Sequence, residues 1–185
     1  MNSEYCVSIR EHYVRQWLGK VDAMKFLKGP IDELPPAFEV LQFAPWNNRT
    51  TWTVATKCMS QPRDETRIEL HMFSYELREE LIELLVAAAH FHRTGSGLHI
   101  GDTVNFGRPW LPDSVCDHGL ISLPYLDGPK LELMSFADRV THFLWLIPVT
   151  QAEVRFARES GLEALEARFE LTNFDYADPL RPSVV

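Results

Sequence analysis

The segment from His90 to Asp127 constrains the fold more than any other part of the sequence. It combines histidine, aspartate, tryptophan, glycine and proline in irregular order, between segments with regular hydrophobic periodicity. Glycine and proline let a long connection hold one shape because they permit or fix unusual backbone dihedrals. Connections this long inside a compact domain are usually functional or disordered, and the aromatic and aliphatic content of this one argues against disorder. We therefore expect an ordered loop that either performs chemistry or presents a binding surface.

The sequence before this segment begins with a predicted helix. Apolar residues recur at three- and four-residue steps over residues 3–18, which is the spacing of one helix face. Ser3 is placed to cap the start of this helix and Gly19 to end it. Residues 20–36 contain two proline-bearing breaks, of which Gly29-Pro30 is the first, and are predicted to form a connector.

Three strand-like segments follow, separated by short polar breaks that favour an antiparallel meander. In the clearest of them, one set of alternate positions holds Ile68, Leu70 and Met72, and the other holds Glu69, His71 and Phe73. This alternation is expected for the two faces of a strand. The three predicted strands are residues 37–44, 51–57 and 67–74.

Residues 76–93 carry the strongest helical pattern. Leucines form an apolar stripe, acidic residues crowd the early turns, and Ser74 is placed as the cap. The acidic residues of this face are Glu76, Glu79, Glu80 and Glu83.

The second half of the chain predicts three more strands and a final helix. Residues 139–148 are apolar on both faces, which is typical of a central strand. Thr150 and Glu153 have the spacing of a capping box, and Gly161 interrupts the helix, which continues over residues 162–171. The tail from Asn173 carries no structure signals. The predicted strands are residues 120–125, 131–134 and 139–148.

These elements predict an α+β fold, with a twisted, mainly antiparallel sheet flanked by helices in a single domain of 185 residues. The net charge of −8 disfavours nucleic acid as a partner and suits a basic protein. No stretch approaches the roughly 18 apolar residues of a membrane span, and residues 1–20 lack a signal-peptide core. Cys6, Cys58 and Cys116 are an odd number at wide spacing and do not resemble a disulfide framework. We therefore expect unpaired cysteines and a soluble cytoplasmic protein.

The 90–127 segment contains side chains that could bind a metal, but their spacing matches no zinc template. His90 and His92 lie two apart at a helix end and would point about 200° apart. We predict neither metal nor cofactor. The side chains considered as ligands are His90, His92, His99, Cys116, His118, Asp102 and Asp117.

A nucleophilic pair can be drawn from Cys116 with His118, or from Cys116 with His99 and Asp102. A free cysteine is more often a small buried hydrophobe. The glycines of Gly95-Ser96-Gly97 follow a predicted helix, where the dipole repels phosphate. We predict no enzymatic activity; a metal- or cysteine-dependent hydrolase using this segment remains the alternative.

Charged and aromatic surfaces offer binding sites instead. Trp46 and Trp110 both lie beside prolines, where an aromatic ring either clamps a loop, the interpretation we favour, or anchors a partner. An acidic face would speed encounter with a basic partner. A second acidic face is predicted at Glu153, Glu159, Glu163, Glu166 and Glu170.

Several motifs together resemble the suppressor-of-fused domain family over about residues 35–185, with residues 1–34 as an N-terminal helix and connector. They are Gly101-Asp102-Thr103-Val104, Gly107-Arg108-Pro109-Trp110, Leu123-Pro124-Tyr125, and the run from His142 to Thr150 with Glu153. The combined string is specific, whereas Gly-Asp-Thr-Val alone is weak.

This resemblance implies a mixed α/β domain without known catalytic activity. The animal member sequesters a transcription factor and grips a peptide strand between this domain and a second one, an arrangement that one domain cannot reproduce. Stand-alone bacterial members are associated with toxin systems as immunity proteins. We therefore predict a protein-binding domain that neutralises a basic toxin, with a peptide-strand-binding module as another alternative and the oligomeric state open. The residues predicted to bind are Trp46, Asp102, Arg108, Trp110, Asp113 and Asp117.

Overall fold

The computed structural model describes residues 2–25, 31–47 and 49–185, and in these ranges it contains one eight-stranded sheet and five helices. Gly29-Pro30 of the predicted connector lies outside them. The strands are β1 Val21–Met24, β2 Glu39–Phe43, β3 Trp52–Lys57, β4 Ile68–Ser74, β5 Thr103–Asn105, β6 Cys116–Ser122, β7 Leu133–Phe136 and β8 Arg139–Thr150. The helices are α1 Asn2–Gln16, α2 Glu79–Thr94, α3 Pro129–Glu132, α4 Gln151–Ser160 and α5 Leu162–Thr172.

The sheet is mixed and mainly antiparallel, which confirms the predicted α+β class. Its strand order is β1-β2-β3-β4-β8-β6-β5, and β7 also pairs with β8. Among the strand pairs of the described residues only β4 and β8 run parallel, with Leu70 opposite Leu144. Strand β8 lies between β4 and β6 and is buried from Phe143 onward, as its apolar faces predicted.

Helix α1 covers part of one face of the sheet. Tyr5, Ile9 and Tyr13 are fully buried, and the T-shaped contact of Tyr13 with Phe143 joins the helix to β8. These residues lie one helical turn apart, so the periodicity in the sequence identified the buried side correctly.

The expectation that the cysteines are unpaired is wrong for two of them. Cys6 of α1 and Cys58, which follows β3, form a disulfide with 5.5 Å between their Cα atoms. They are 52 residues apart in the sequence, and only the packing of α1 on the sheet brings them together. Cys116 is free and buried.

Strand β4 is buried on both faces, so its alternating pattern does not mark a solvent-facing side. Glu69 and His71 are fully buried, and the His71 ring contacts Trp17, which follows α1. The opposite face belongs to the core that includes the α2 side chains Leu81 and Leu85. The sheet is therefore covered by packed side chains on both faces at this strand, whereas a simple antiparallel meander is covered on one face.

Helix α2 begins at Glu79, three residues after its predicted start. Arg78 occupies the N-cap in extended conformation, and the Ser74 hydroxyl instead accepts a hydrogen bond of 3.3 Å from the Glu76 N–H. Ser74 is thus not the cap. The leucine stripe is buried as predicted, except that Leu77 precedes the helix and is exposed.

The 90–127 segment is ordered and contains more regular structure than expected. It includes β5, which the sequence did not reveal, and β6, which begins four residues before the predicted strand. Gly101 and Gly107 have positive φ angles of 89° and 70°, as expected for glycines that shape a loop. The predicted strand at residues 131–134 spans the end of α3 and the start of β7, and β1 occupies part of the predicted connector.

The structure confirms the capping box predicted at Thr150 and the helix break predicted at Gly161, which separates α4 from α5. The Glu153 N–H donates to Thr150 Oγ1 at 3.2 Å, and the Thr150 N–H donates to Glu153 Oε2 at 2.7 Å, which completes the capping box. Glu153 is fully buried and pairs with Arg181, so it does not belong to the predicted acidic surface. The tail, although irregular, is thereby fixed to the domain.

None of the helices in the described ranges has the length and apolar content that crossing a bilayer demands.

Candidate functional site

The six predicted binding residues lie in different parts of the molecule. Trp46 is 56% exposed, whereas Trp110 is 1% exposed and packs in the main core. The backbone N–H of Trp110 donates to the Cys116 carbonyl at 2.9 Å. Trp110 therefore clamps the loop onto the domain and is unsuited to contact a partner, because its ring faces the core.

The remaining four predicted residues stabilise local structure or pair with neighbours. Asp102 Oδ2 accepts the His99 N–H at 2.8 Å, and Asp117 Oδ1 contacts His118 Nδ1 at 2.7 Å. Arg108 forms an ion pair with Glu83. Asp113 adopts a positive φ angle and borders a separate cavity beside Arg78. The structure therefore does not gather the predicted residues into one site.

The side chains considered for metal binding or for catalysis are also dispersed. His92 Nδ1 accepts the Leu98 N–H at 3.0 Å, while His90 lies 3.5 Å from Glu33. Burial raises the pKa of the Cys116 thiol to about 11, so little thiolate exists at neutral pH. Among the described residues, no group of three His, Cys, Asp or Glu side chains is arranged to hold a metal ion.

A long concave surface lies where the covering of the sheet face beneath α1 is interrupted. Helix α1 covers one part of this face, and α5 with the tail covers another. Two cavities of about 430 and 280 Å³ lie along the interruption and share Leu126 and Tyr176. We call this surface the aromatic groove and define it by Trp17, Phe43, Trp46, Arg49, Tyr125, Leu126, Trp145, Glu166, Phe169, Glu170, Phe174 and Tyr176.

An ion pair organises the α1 side of the groove. Asp127 Oδ1 accepts a hydrogen bond of 2.7 Å from Trp17 Nε1 and also binds the Arg49 guanidinium. The guanidinium carbon lies 4.8 Å from the Phe73 ring centroid and 5.6 Å from that of Trp17. Arg49 is thus held by both a carboxylate and aromatic faces.

Aromatic packing forms the α5 side. Phe169 and Phe174 stack at 4.2 Å, and Tyr176 packs edge-on against Phe73 at 5.5 Å and Trp145 at 5.2 Å. Phe174 and Tyr176 belong to the tail, so this wall exists only while the tail is docked.

Carboxylates border this side of the groove. Glu166 accepts hydrogen bonds from the Ser122 hydroxyl at 2.6 Å and the Tyr125 hydroxyl at 3.1 Å. Burial, together with Glu166 and Glu170, raises the pKa of Tyr125 to about 12. The phenol therefore remains a hydrogen-bond donor at neutral pH.

Some of the buried polar atoms without partners belong to residues at the groove or to the residues beneath it. Both ring nitrogens of His71, Asp127 Oδ2 and Trp145 Nε1 have no hydrogen-bond partner. Burial and the neighbouring Arg49 lower the pKa of His71 to about 3, so the imidazole is neutral. Unsatisfied buried groups cost free energy, so these atoms reduce the stability that burial of the neighbouring rings supplies.

Large apolar side chains are exposed along the groove. Trp46 is 56%, Tyr125 57% and Leu126 48% exposed, and Leu18, which also lines the larger cavity, is 70% exposed. Such contiguous exposure is typical of an interaction surface.

Of the six residues predicted from the sequence to bind a partner, only Trp46 belongs to the groove. Arg49 and Asp127 lie in irregular segments, 78 residues apart, and no periodicity links them. The nearest signal was the aromatic content of the tail, Phe174 and Tyr176, whose docking the sequence did not reveal.

The fold and groove define an α+β domain with a mainly antiparallel sheet covered on both faces. The family model for suppressor of fused protein (SUFU) matches residues 35–182, and the chain belongs to this family. The match confirms the resemblance carried by the motifs.

Solved structures agree with this membership. A protein described as a SUFU homologue from Neisseria gonorrhoeae FA 1090 is 31% identical, with a TM-score of 0.81 over 99% of this chain and 98% of that one. None of the curated protein sequences matches this chain.

More distant structures share the fold. A chain of the Sufu-Fu complex is 16% identical, with a TM-score of 0.73 over 97% of this chain and 92% of that one. Drosophila Suppressor of Fused is also 16% identical, with a TM-score of 0.60 over 97% of this chain and 50% of that one.

Proposed function

We propose that this chain is a non-enzymatic protein-binding domain that holds its partner in the aromatic groove. The observation that carries the proposal is the contiguous exposure of large apolar side chains around Leu126, beside aromatic walls that are already formed. Surfaces of this composition supply most of the binding energy in protein interfaces. One relative of the same fold is known from a complex, described as Sufu-Fu.

The hydrolase alternative is weakened by the state of its nucleophile. Cys116 is fully buried and its thiol has a pKa of about 11. His118 contacts Asp117 instead, and His99 lies near Asp102 at an exposed turn. An activated cysteine needs a lowered pKa and access to substrate, and Cys116 has neither.

We further propose that the partner is a toxin and that this domain is its cytoplasmic immunity protein in a bacterium. The net charge of −8 favours encounter with a basic partner, and Glu166 and Glu170 place negative charge at the groove. The similarity to the Neisseria protein over nearly the whole chain supports a bacterial origin. Neutralisation would follow from occlusion of the toxin's active site.

Co-expression with the protein encoded beside this one tests the proposal. Growth rescue and co-purification are expected, and both should be lost in Leu126→Arg, which places a bulky cation at the centre of the groove. Val115→Arg is the matched control, because Val115 is also an exposed apolar residue, at 61%, and lies outside the groove. Absence of both rescue and co-purification for the unmodified chain would overturn the immunity assignment.

A peptide-strand-binding role is the second candidate. Strands β1 and β5 form the two ends of the sheet order and each pairs with one neighbour among the described residues. An edge strand with free N–H and carbonyl groups can accept an added strand. Proline substitution in the middle of β1 or β5, if it abolished capture while Leu126→Arg did not, would favour this role over the groove.

A further inference from the structure

We propose that the α5 side of the aromatic groove selects a partner segment in which a large apolar side chain lies next to arginine or lysine. We call this part the acidic pocket; it is the 280 Å³ cavity lined by Ser122, Tyr125, Leu126, Trp145, Ile147, Glu166, Phe169, Glu170, Asn173, Phe174 and Tyr176. This inference rests on the proposed protein-binding function and specifies the chemistry of the partner.

The floor and walls of the acidic pocket are apolar and ordered before binding. Phe169 and Phe174 stack on one side, while Trp145 and Tyr176 meet edge to face on the other. The Tyr176 ring also packs edge to face against Phe73, which helps to fix its position. A preformed aromatic cavity favours an apolar side chain because little ordering is required on binding.

The charged side chains that line the pocket all have one sign. Glu166 and Glu170 line it, and the described residues that line it include no lysine or arginine. Glu166 is oriented by Ser122 and Tyr125, whereas Glu170 has no ion-pair partner among the described residues. Two carboxylates above an apolar floor complement a basic side chain beside an apolar one.

Fluorescence anisotropy with short labelled peptides tests this selectivity. The probes are a peptide with Arg-Phe-Arg at its centre and two counterparts with Glu-Phe-Glu and Arg-Ala-Arg. We expect the first to bind this chain, each counterpart to bind more weakly, and the affinity to fall with added salt. In the double variant Glu166→Gln and Glu170→Gln, binding should weaken on the order of tenfold.

The matched control is Glu163→Gln, an exposed glutamate of the same helix outside the pocket, which should leave peptide affinity unchanged. Equal binding of the Glu-Phe-Glu peptide, no binding of any peptide, or equal losses in Glu163→Gln would overturn the inference. Light scattering provides a further check. A dimer of the unmodified chain and a monomer of the double variant would also overturn the inference, because a second copy of the chain would then occupy the pocket.

The two proposals fail separately. If the full-length partner binds and the double variant retains full affinity for it, the acidic pocket is not the selective site but the protein-binding function stands. If no protein partner is captured by the unmodified chain while the Arg-Phe-Arg peptide binds, the pocket has the stated selectivity and the proposed function is wrong.

Discussion

Arg181 and Glu153 form a buried ion pair that fixes the C-terminal tail to the start of α4. Arg181 donates to both carboxylate oxygens of Glu153, at 2.7 and 2.8 Å, and to the Pro148 carbonyl at 2.8 Å. Burial alone would raise the pKa of Glu153, but the hydrogen bonds and charge of Arg181 hold it below its usual value. Because Phe174 and Tyr176 lie in the tail, this pair also maintains one wall of the aromatic groove.

Arg181→Met should therefore destabilise the domain and open the groove. The substitution leaves Glu153 charged and buried without its partner, which typically costs about 3–5 kcal/mol. Urea unfolding measures the loss of unfolding free energy. Fluorescence anisotropy measures the affinity for the Arg-Phe-Arg peptide, which should fall if the groove wall is lost. Arg78→Met is the control, because the Arg78–Glu76 pair is exposed and worth about 0–1 kcal/mol. Equal effects of the two substitutions would contradict the anchoring role of Arg181.

The disulfide between Cys6 and Cys58 should contribute substantially to stability. It closes a loop over a sequence separation of 52 residues, and loop-closure entropy predicts a contribution of about 4 kcal/mol. Dithiothreitol should lower the midpoint of thermal unfolding of the unmodified protein. It should have no effect on the double variant Cys6→Ser and Cys58→Ser, whose midpoint should already be low. An identical midpoint for both proteins under oxidising conditions would show that the bond is not formed.

Local signals in the sequence predicted most regular elements because those elements depend on neighbouring residues. The capping box at Thr150 and Glu153 acts over three residues, and the leucine stripe of α2 repeats within one helix. Strands β1 and β5 were not predicted because they are only four and three residues long and lack a repeating hydrophobic pattern. Their pairing with β2 and β6 makes them strands.

Long-range relationships were the part that the sequence could not supply. Five of the six predicted site residues came from the 90–127 segment and the sixth was Trp46, whereas the groove combines Trp17 and Arg49, both held by Asp127, with the tail. Cys6 and Cys58 illustrate the same point, since their spacing gave no reason to pair them. In each case tertiary packing brings together residues from separate elements, and no periodicity records which elements meet.

Glu69 should make the stability of the domain fall as pH rises. Burial raises its pKa to about 8, although hydrogen bonds from Thr56, Met59 and Ser60 favour the charged form. The unfolded chain releases this proton near pH 4.5, whereas the folded protein keeps it up to about pH 8. Between these values the folded state binds more protons, so unfolding free energy should decrease by up to about 1.4 kcal/mol per pH unit.

Glu69→Gln tests this relation because the amide keeps the shape and does not titrate. Urea unfolding between pH 5 and 8 should show a steeper decline for the unmodified protein than for Glu69→Gln. Glu163→Gln, at an exposed position, should follow the unmodified protein. If Glu69→Gln declined just as steeply, another group would be responsible for the pH dependence.

His71 should have the opposite effect at acidic pH. Burial and Arg49 lower its pKa to about 3, and neither ring nitrogen has a hydrogen-bond partner. Below about pH 6.5 the unfolded chain gains a proton that the folded protein does not bind, so unfolding free energy should fall as pH decreases toward 3. His71→Phe removes this titration and both unsatisfied nitrogens, and the aromatic neighbours Trp17 and Phe73 can pack against the new ring. Its stability advantage over the unmodified protein in urea should be larger at pH 4.5 than at pH 7.5, and an advantage that does not change with pH would show that His71 is protonated in the folded state.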